Sequence, residues 1–404
     1  MQSISGGVCA AKGYTTNGVL CRIKASRTTP DLALIASETP ANAAAVYTQN
    51  LVQGAPIIVT RQHLQNGRAQ AVIVNSGNAN TCNANGIAVA QRMCELVQEH
   101  VGIATEDVIV ASTGVIGQPL PVEKIEAGMA QLVAGMGRTS EKAAAAIMTT
   151  DTFAKESAVE FTLPCGTVCR VGGMAKGSGM IHINMATMLA FITTDAAIAQ
   201  PLLAKTLKEC CDDTFNMVTV DGDTSTNDMC CVLANGMAGN AEITGEGAAL
   251  DAFRTALTQV LTELSRMLAR DGEGATKLLI CRVTGANTAQ DCRIAAKAVV
   301  ASSLFKAAMF GADANWGRVL CALGYSGADL DMAQIGVRFS SAAGEIIVCE
   351  DGAGVPFCED AAAKILAEEE IKIHIAAGNS EHVATAYGCD LTYDYVKING
   401  DYRT

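Results

Sequence analysis

Ala71-Val72-Ile73-Val74-Asn75-Ser76-Gly77-Asn78-Ala79-Asn80 is a short apolar run that ends in a polar loop containing glycine. The run 71–75 reads as a strand whose end opens into hydrogen-bonding side chains. Residues 86–101 follow with helical periodicity. A second strand, 107–111, runs into another polar loop, Ser112-Thr113-Gly114-Val115-Ile116-Gly117, and 121–136 returns to helix. Strands that alternate with helices, with polar loops at the strand ends, indicate an α/β architecture.

The same alternation extends outward. Toward the N-terminus, 32–36, 43–47 and 57–61 read as short strands. Toward the C-terminus, 158–163, 167–171 and 189–193 read as strands, and 200–215 and 248–270 as helices. Strands are also expected at 278–283, 335–339, 345–349 and 372–376. There is no internal repeat, low-complexity tract or proline-rich linker, and no composition shift marks a domain boundary. At 404 residues the chain exceeds one small core, so two lobes or one large layered domain both fit.

Half the residues are apolar and 17% are charged, the composition of a compact soluble protein. Aromatic residues make up only 4%, so the core must be built from Val, Ile, Leu, Met and Ala. The formal net charge of -12, without any Lys/Arg cluster, argues against nucleic acid and other polyanionic partners. Residues 1–12 lack a basic region followed by an apolar core, so no signal peptide is read there. The apolar runs fall far short of the ~20 residues that span a bilayer. A cytoplasmic protein without membrane contact is expected. The sixteen cysteines are scattered through apolar runs such as Leu279-Ile280-Cys281, as reduced core thiols are. Cys165 with Cys169, and the adjacent pairs Cys210-Cys211 and Cys230-Cys231, lack His or Cys partners for zinc. No metal is expected.

The most unusual stretch is Ala175-Lys176-Gly177-Ser178-Gly179-Met180-Ile181-His182-Ile183-Asn184-Met185-Ala186-Thr187-Met188-Leu189-Ala190-Phe191. Its pattern alone is also that of a tight turn entering a core. Lys-Gly-Ser-Gly is not a phosphate loop, because Gly-x4-Gly-Lys-Ser/Thr is absent. The run Lys176-Gly-Ser-Gly-Met-Ile followed by Asn184-Met-Ala-Thr-Met-Leu resembles the glutamate N-acetyltransferase family, also called ornithine acetyltransferase. Asn75-Ser-Gly-Asn-Ala-Asn, Ser112-Thr-Gly-Val-Ile-Gly, Met148-Thr-Thr-Asp-Thr and Asp221-Gly-Asp-Thr-Ser-Thr-Asn-Asp look like further family motifs, in family order. So do Asp271-Gly-Glu-Gly-Ala-Thr-Lys and Asn399-Gly-Asp-Tyr-Arg-Thr404. One departure stands out: Ile183 occupies a position that is usually Pro in the family.

The resemblance implies an α/β fold of layered sheets and helices with chemistry like that of N-terminal-nucleophile hydrolases. It implies a precursor that cuts itself between Ala186 and Thr187, giving an α chain of residues 1–186 and a β chain of 187–404. Two α and two β chains would form a heterotetramer. Thr187, with its own α-amino group as base, would take acetyl from N-acetylornithine and pass it to glutamate in a ping-pong reaction. Such an amine titrates near ~8 in model compounds, so a useful neutral fraction exists at physiological pH. The mechanism also explains why none of the five histidines lies in a Ser-His-Asp signature. Thr113 and Gly114 match the family's oxyanion-hole pair. Thr150, Lys176, Thr187, Glu273, Asn399 and Thr404 match its substrate-binding positions. Lys176, Asn399 and Thr404 suit an α-carboxylate, and Glu273 suits the δ-ammonium of ornithine.

No metal or organic cofactor is implied, although acetyl-CoA is a second candidate donor. An N-terminal-nucleophile aminopeptidase or amidohydrolase is the alternative, with water as acceptor. A non-catalytic ligand-binding protein that never cleaves is disfavoured by the intact Ala186-Thr187 pair. The oxygen-rich Asp221–Asp228 loop lacks EF-hand spacing and reads as a structural loop near the site. The single Trp, Trp316, fits either the pocket or a subunit interface. In the C-terminal tail, Tyr395, Val396, Ile398 and Tyr402 argue for docking rather than fraying.

Overall fold

The computed structural model describes residues 1–182 and 188–401. Its centre is a nine-stranded sheet. From one edge the order is Gln2–Ile4, Lys155–Thr162, Val168–Lys176, Leu189–Thr194, Met229–Ala234, Leu32–Tyr47, Arg68–Asn75 and Val108–Ser112, with Tyr14–Val19 also pairing Leu32–Tyr47. A six-stranded sheet runs Ala353–Gly354, Gly344–Glu350, Gly336–Ser341, Glu370–Ala376, Leu278–Thr284 and Val383–Cys389.

Helices Gln200–Asp213 and Ala248–Arg270 lie between the two sheets. The second buries Leu250, Phe253, Leu257, Val260, Leu261, Leu264 and Leu268, spaced so that they fall on one helical face. That face meets Val159, Val171, Ile192 and Val232 of the large sheet, and Leu278, Ile280 and Tyr387 of the small one, in one continuous core. The molecule is therefore one layered unit and not two lobes. Each fully buried aliphatic side chain of this kind contributes about 1.5–3 kcal/mol. The far face of the large sheet packs on Ala55–His63 and Glu141–Ala146. Its edge near Val108–Ser112 is covered by Gly86–Val101 and Val122–Ala134. The small sheet turns its other face to Ala289–Ala301, Ser303–Phe310 and Trp316–Gly324.

The strand, helix and strand around residues 71–111 form as read, with Arg68–Asn75 and Val108–Ser112 parallel neighbours. Three readings change. Residues 32–36 and 43–47 belong to a single strand, Leu32–Tyr47. Its register shifts between Ala36 and Ala41, so one half pairs Tyr14–Val19 and the other Met229–Ala234. Residues 57–61 are helical, within Ala55–His63, where Pro56 fits the first turn. The β-branched run Ile57-Ile58-Val59-Thr60 favours a strand locally. Packing overrides it, because Ile57 and Val59 plug two different cores from one helix. The central strand Met229–Ala234 was not anticipated. It explains the Cys230-Cys231 pair, since strand alternation sends Cys230 into the inter-sheet core and Cys231 to the opposite face. All sixteen cysteines are free, and most are buried. Trp316 packs on the small-sheet core against Gly354 and does not line the cavity described next.

Candidate active site

The strands Arg68–Asn75 and Val108–Ser112 end side by side, and their two polar loops zip together. Ser112 Oγ donates to Asn75 Oδ1 at 2.6 Å, Asn75 Nδ2 donates to the Asn78 carbonyl at 2.9 Å, and Thr113 N donates to the Asn75 carbonyl at 3.0 Å. Asn227 stitches both loops from a third segment, its amide donating to the carbonyls of Ala79 and Ser112. Gly114 carries a φ of 130°, and a Cβ there would stand 2.3 Å from the Gly77 carbonyl carbon, so only glycine fits. Crevices beyond the carboxyl ends of parallel strands are where α/β sheets bind ligands.

A cavity opens there. Thr113, Gly114, Thr150, Lys176, Glu273 and Asn399 all line it, together with Met188, Asn227 and Asp228. Six residues singled out from scattered motifs thus converge on one space. Ala186, Thr187 and Thr404, and the departure at Ile183, fall outside the described residues.

Lys176 ends the strand Val168–Lys176, and its buried ammonium reaches Thr113 Oγ1 at 3.3 Å. Burial draws it below its ordinary pKa, with Asp151 the largest opposing influence. Behind it lies a sealed ion cluster. Lys155 Nζ, fully buried, bonds Asp151 Oδ1 at 2.7 Å and also Asp271. Asp151 accepts further from Gly177 N at 2.7 Å and Thr149 N at 2.9 Å. Burial pushes the Asp151 carboxyl up, but the Lys176 and Lys155 charges and these bonds win and hold it well below the usual carboxylate range. Asp271 is held in turn by Thr152, and its carbonyl accepts from Ser178 Oγ at 2.6 Å.

Glu273 is fixed by its backbone, which donates to the Ser178 carbonyl at 3.0 Å, and by Asn399, whose amide donates to Glu273 Oε2 at 2.7 Å. Gly179 lies so close that a Cβ there would stand 2.3 Å from the same oxygen. The C-terminal helix Tyr393–Asp401 docks through Tyr395, whose hydroxyl donates to Asp221, and through Asn399. Val396 is instead 69% exposed, so it does not anchor the tail as expected. Tyr402 lies outside the described residues. Asp221 also accepts from the backbone N–H groups of Met180 and Ile181 at 2.6 and 2.8 Å, and so anchors the chain just before residue 183.

The sequence reading passed over Asp228 and Asn227 as members of a structural loop. Both are buried in the cavity wall. Burial pushes the Asp228 carboxyl well above the ordinary carboxylate range, against bonds from Ser225 and the charge of Lys176. The run Thr226-Asn227-Asp228, followed at once by apolar residues 229–234, was the available signal: a polar loop at the end of a strand, as at Asn75 and Ser112.

The fold and cavity define an α/β protein with a polar, cation-bearing pocket at the ends of its central strands. Comparison with known proteins gives the family. The ArgJ family model matches residues 15–404. The chain is 51% identical over 407 residues to the arginine biosynthesis bifunctional protein ArgJ of Symbiobacterium thermophilum, covering all of both chains. It is 49% identical over 408 residues to that of Caldanaerobacter subterraneus subsp. tengcongensis, again covering both completely. The crystal structure of arginine biosynthesis bifunctional protein ArgJ from Bacillus halodurans is 43% identical. It superposes with a TM-score of 0.51 over 54% of this chain and 100% of that one. The chain belongs to the ArgJ family and is an acyltransferase of arginine biosynthesis, a glutamate N-acetyltransferase. Among the described residues, no helix is long and apolar enough to cross a membrane.

Proposed function

We propose that the chain cuts itself between Ala186 and Thr187, and that the new N-terminal Thr187 carries acetyl from N-acetylornithine to glutamate in two half-reactions. The observation that carries this reading is the convergence of Thr113, Gly114, Thr150, Lys176, Glu273 and Asn399 on one cavity, with Met188, the neighbour of Thr187, in its wall.

The roles follow from chemistry. The Thr187 hydroxyl attacks the acetyl carbonyl while its α-amine takes the proton. Charge develops on the carbonyl oxygen, and Thr113 and Gly114 offer a hydroxyl and a backbone N–H for it. Lys176, bonded to Thr113 Oγ1, orients that hydroxyl and adds positive charge. Ornithine leaves, glutamate enters and its amine takes the acetyl group. Glu273 faces the ornithine side-chain ammonium, while Asn399, Thr150 and Thr404 hold polar groups shared by both amino acids. No cofactor or metal takes part, and acetyl-CoA is a second donor to be assayed. The α chain of 1–186 and the β chain of 187–404 stay together, since strands from both interleave in the large sheet. Two copies of each form the cytoplasmic assembly.

The test is the intact mass of purified protein beside a Thr187→Ala variant. Two fragments split before Thr187 in the parent and one uncut chain in the variant are expected. A single chain in both would overturn the self-cleaving nucleophile.

A further inference from the structure

Thr150, Lys176 and Glu273 reach the cavity from three separate segments, and one buried ion cluster ties the three together. Lys155 opens the strand Lys155–Thr162 opposite Ala175, the residue before Lys176. Its side chain and that of Asp151 are fully buried, and its ammonium lies between the carboxylates of Asp151 and Asp271. Asp151 holds the first two segments. It accepts from Thr149 N at 2.9 Å, beside Thr150, and from Gly177 N at 2.7 Å, beside Lys176. Asp271 holds the third to both. Its carboxylate accepts from Thr152 N at 3.0 Å, and its carbonyl accepts from Ser178 Oγ at 2.6 Å. Two residues on, Glu273 N donates to the Ser178 carbonyl at 3.0 Å. Hydrogen bonds to ionised groups are the strong ones, and a buried setting strengthens them further. Residues 149–152, 176–178 and 271–273 therefore behave as one stiff piece. Thr113 is bonded to that piece through Lys176, and the Glu273 carboxylate is carried on it.

We propose that this cluster is a length gauge: it fixes the separation of Lys176 from Glu273 and so selects the number of methylenes between the acetylated amine of the substrate and its side-chain ammonium. This rests on the reading that Glu273 meets the ornithine ammonium, and deepens it. In that reading Lys176 holds the Thr113 hydroxyl for the acetyl carbonyl at one end of the substrate, and Glu273 takes the ammonium at the other. With both anchors on one stiff piece, a chain one methylene longer or shorter leaves one of the two contacts unmade. A single methylene is worth about tenfold or more in a fitted site. Lys155, Asp151, Asp271 and Ser178 do not line the cavity, so they are positioning residues that act through Lys176 and Glu273.

The experiment measures kcat/KM for the N2-acetyl derivatives of ornithine, of 2,4-diaminobutyrate, one methylene shorter, and of lysine, one methylene longer. The ratios between substrates do not depend on how much of a preparation is cut or folded, so a merely structural role would leave them alone. The parent should prefer acetylornithine about tenfold or more over either neighbour. Lys155→Met, which removes the hub, should bring the preference down to about threefold or less. Ser178→Ala, which removes one hydroxyl and leaves both ion pairs, should lower it in the same direction. Ser178→Ala decides alone should Lys155→Met not fold. A parent that takes the three substrates alike would overturn the proposal, and so would variants that lose rate but keep the parent's ratios. Glu273→Gln separates this failure from that of the underlying reading. If it leaves the length preference intact, Glu273 does not meet the ammonium. If it abolishes the preference while the Lys155 and Ser178 variants keep it, Glu273 meets the ammonium and the cluster sets no length.

Discussion

Lys176 Nζ and Thr113 Oγ1 lie 3.3 Å apart, and the bond joins the end of one central strand to the loop beyond another. An ammonium donates only, so the Thr113 oxygen accepts from it and its own proton is turned elsewhere. In the proposed reaction that proton points at the developing oxyanion. Thr113→Val should lower kcat about 10²- to 10³-fold with little change in KM. Lys176→Met should lower kcat too, and the double variant should lose less than the product of the two. Steady-state kinetics on all four proteins measures this, and independent, multiplicative losses would show that the two groups do not act together.

Part of this site was readable in advance, and the reasons differ by residue. The loops at Asn75 and Ser112 announced themselves because a strand of apolar residues broke abruptly into hydrogen-bonding side chains. Glu273 and Asn399 were legible only through motif resemblance; no local pattern links residues 126 positions apart, and their 2.7 Å bond is a product of the tail's docking. Lys155 and Asp151 were missed because a buried cation looks in sequence like a surface one. Strand 229–234 was missed because its cysteines carry little strand signal. Helix 55–63 was misread because four β-branched residues outvoted a single proline.

The Lys155 cluster should behave as a structural core of charge. Lys155 is fully buried between Asp151 and Asp271, so Lys155→Met strands two carboxylates and should cost about 3–5 kcal/mol in urea unfolding. Lys155→Met combined with Asp151→Asn and Asp271→Asn should recover much of that loss. A triple variant no more stable than the single would mean that packing, not charge, is at stake.

The depressed Asp151 pKa gives a pH signature. Its folded value lies below the unfolded value of about 4, so the stability it contributes is fully present above that pH and is lost as pH falls toward the folded value. The stability gap between the parent and Asp151→Asn should therefore be constant near neutrality and narrow below about pH 4. Unfolding curves across that range check it, and a gap that widened in acid would reverse the assignment.

The proposed contact of Glu273 with the ornithine ammonium predicts a selective defect. Glu273→Gln keeps the size and can still bond Asn399, but it removes the charge. KM for acetylornithine should rise about tenfold, in keeping with a lost charged hydrogen bond of about 1.5 kcal/mol. KM for an N-acetyl amino acid of similar length without the side-chain amine should barely move. Equal rises for the two substrates would remove Glu273 from this role.

Two glycines in the wall separate steric effects on the backbone from effects on the ligand site. At Gly114 an added methyl would meet the Gly77 backbone, in a region of φ that L side chains rarely adopt. Gly114→Ala should therefore disturb the junction of the two loops and lower both stability and kcat. At Gly179 the added methyl would meet only the far end of the Glu273 side chain. The carboxylate can swing away, so the fold should survive, but the swing breaks its bond to Asn399. Gly179→Ala should melt within a few degrees of the parent while KM for acetylornithine rises and kcat changes less. In a Glu273→Gln background, where the charge is already gone, the same substitution should add little to KM. If it raised KM there as strongly as in the parent, Gly179 would be acting on the substrate directly and not through Glu273.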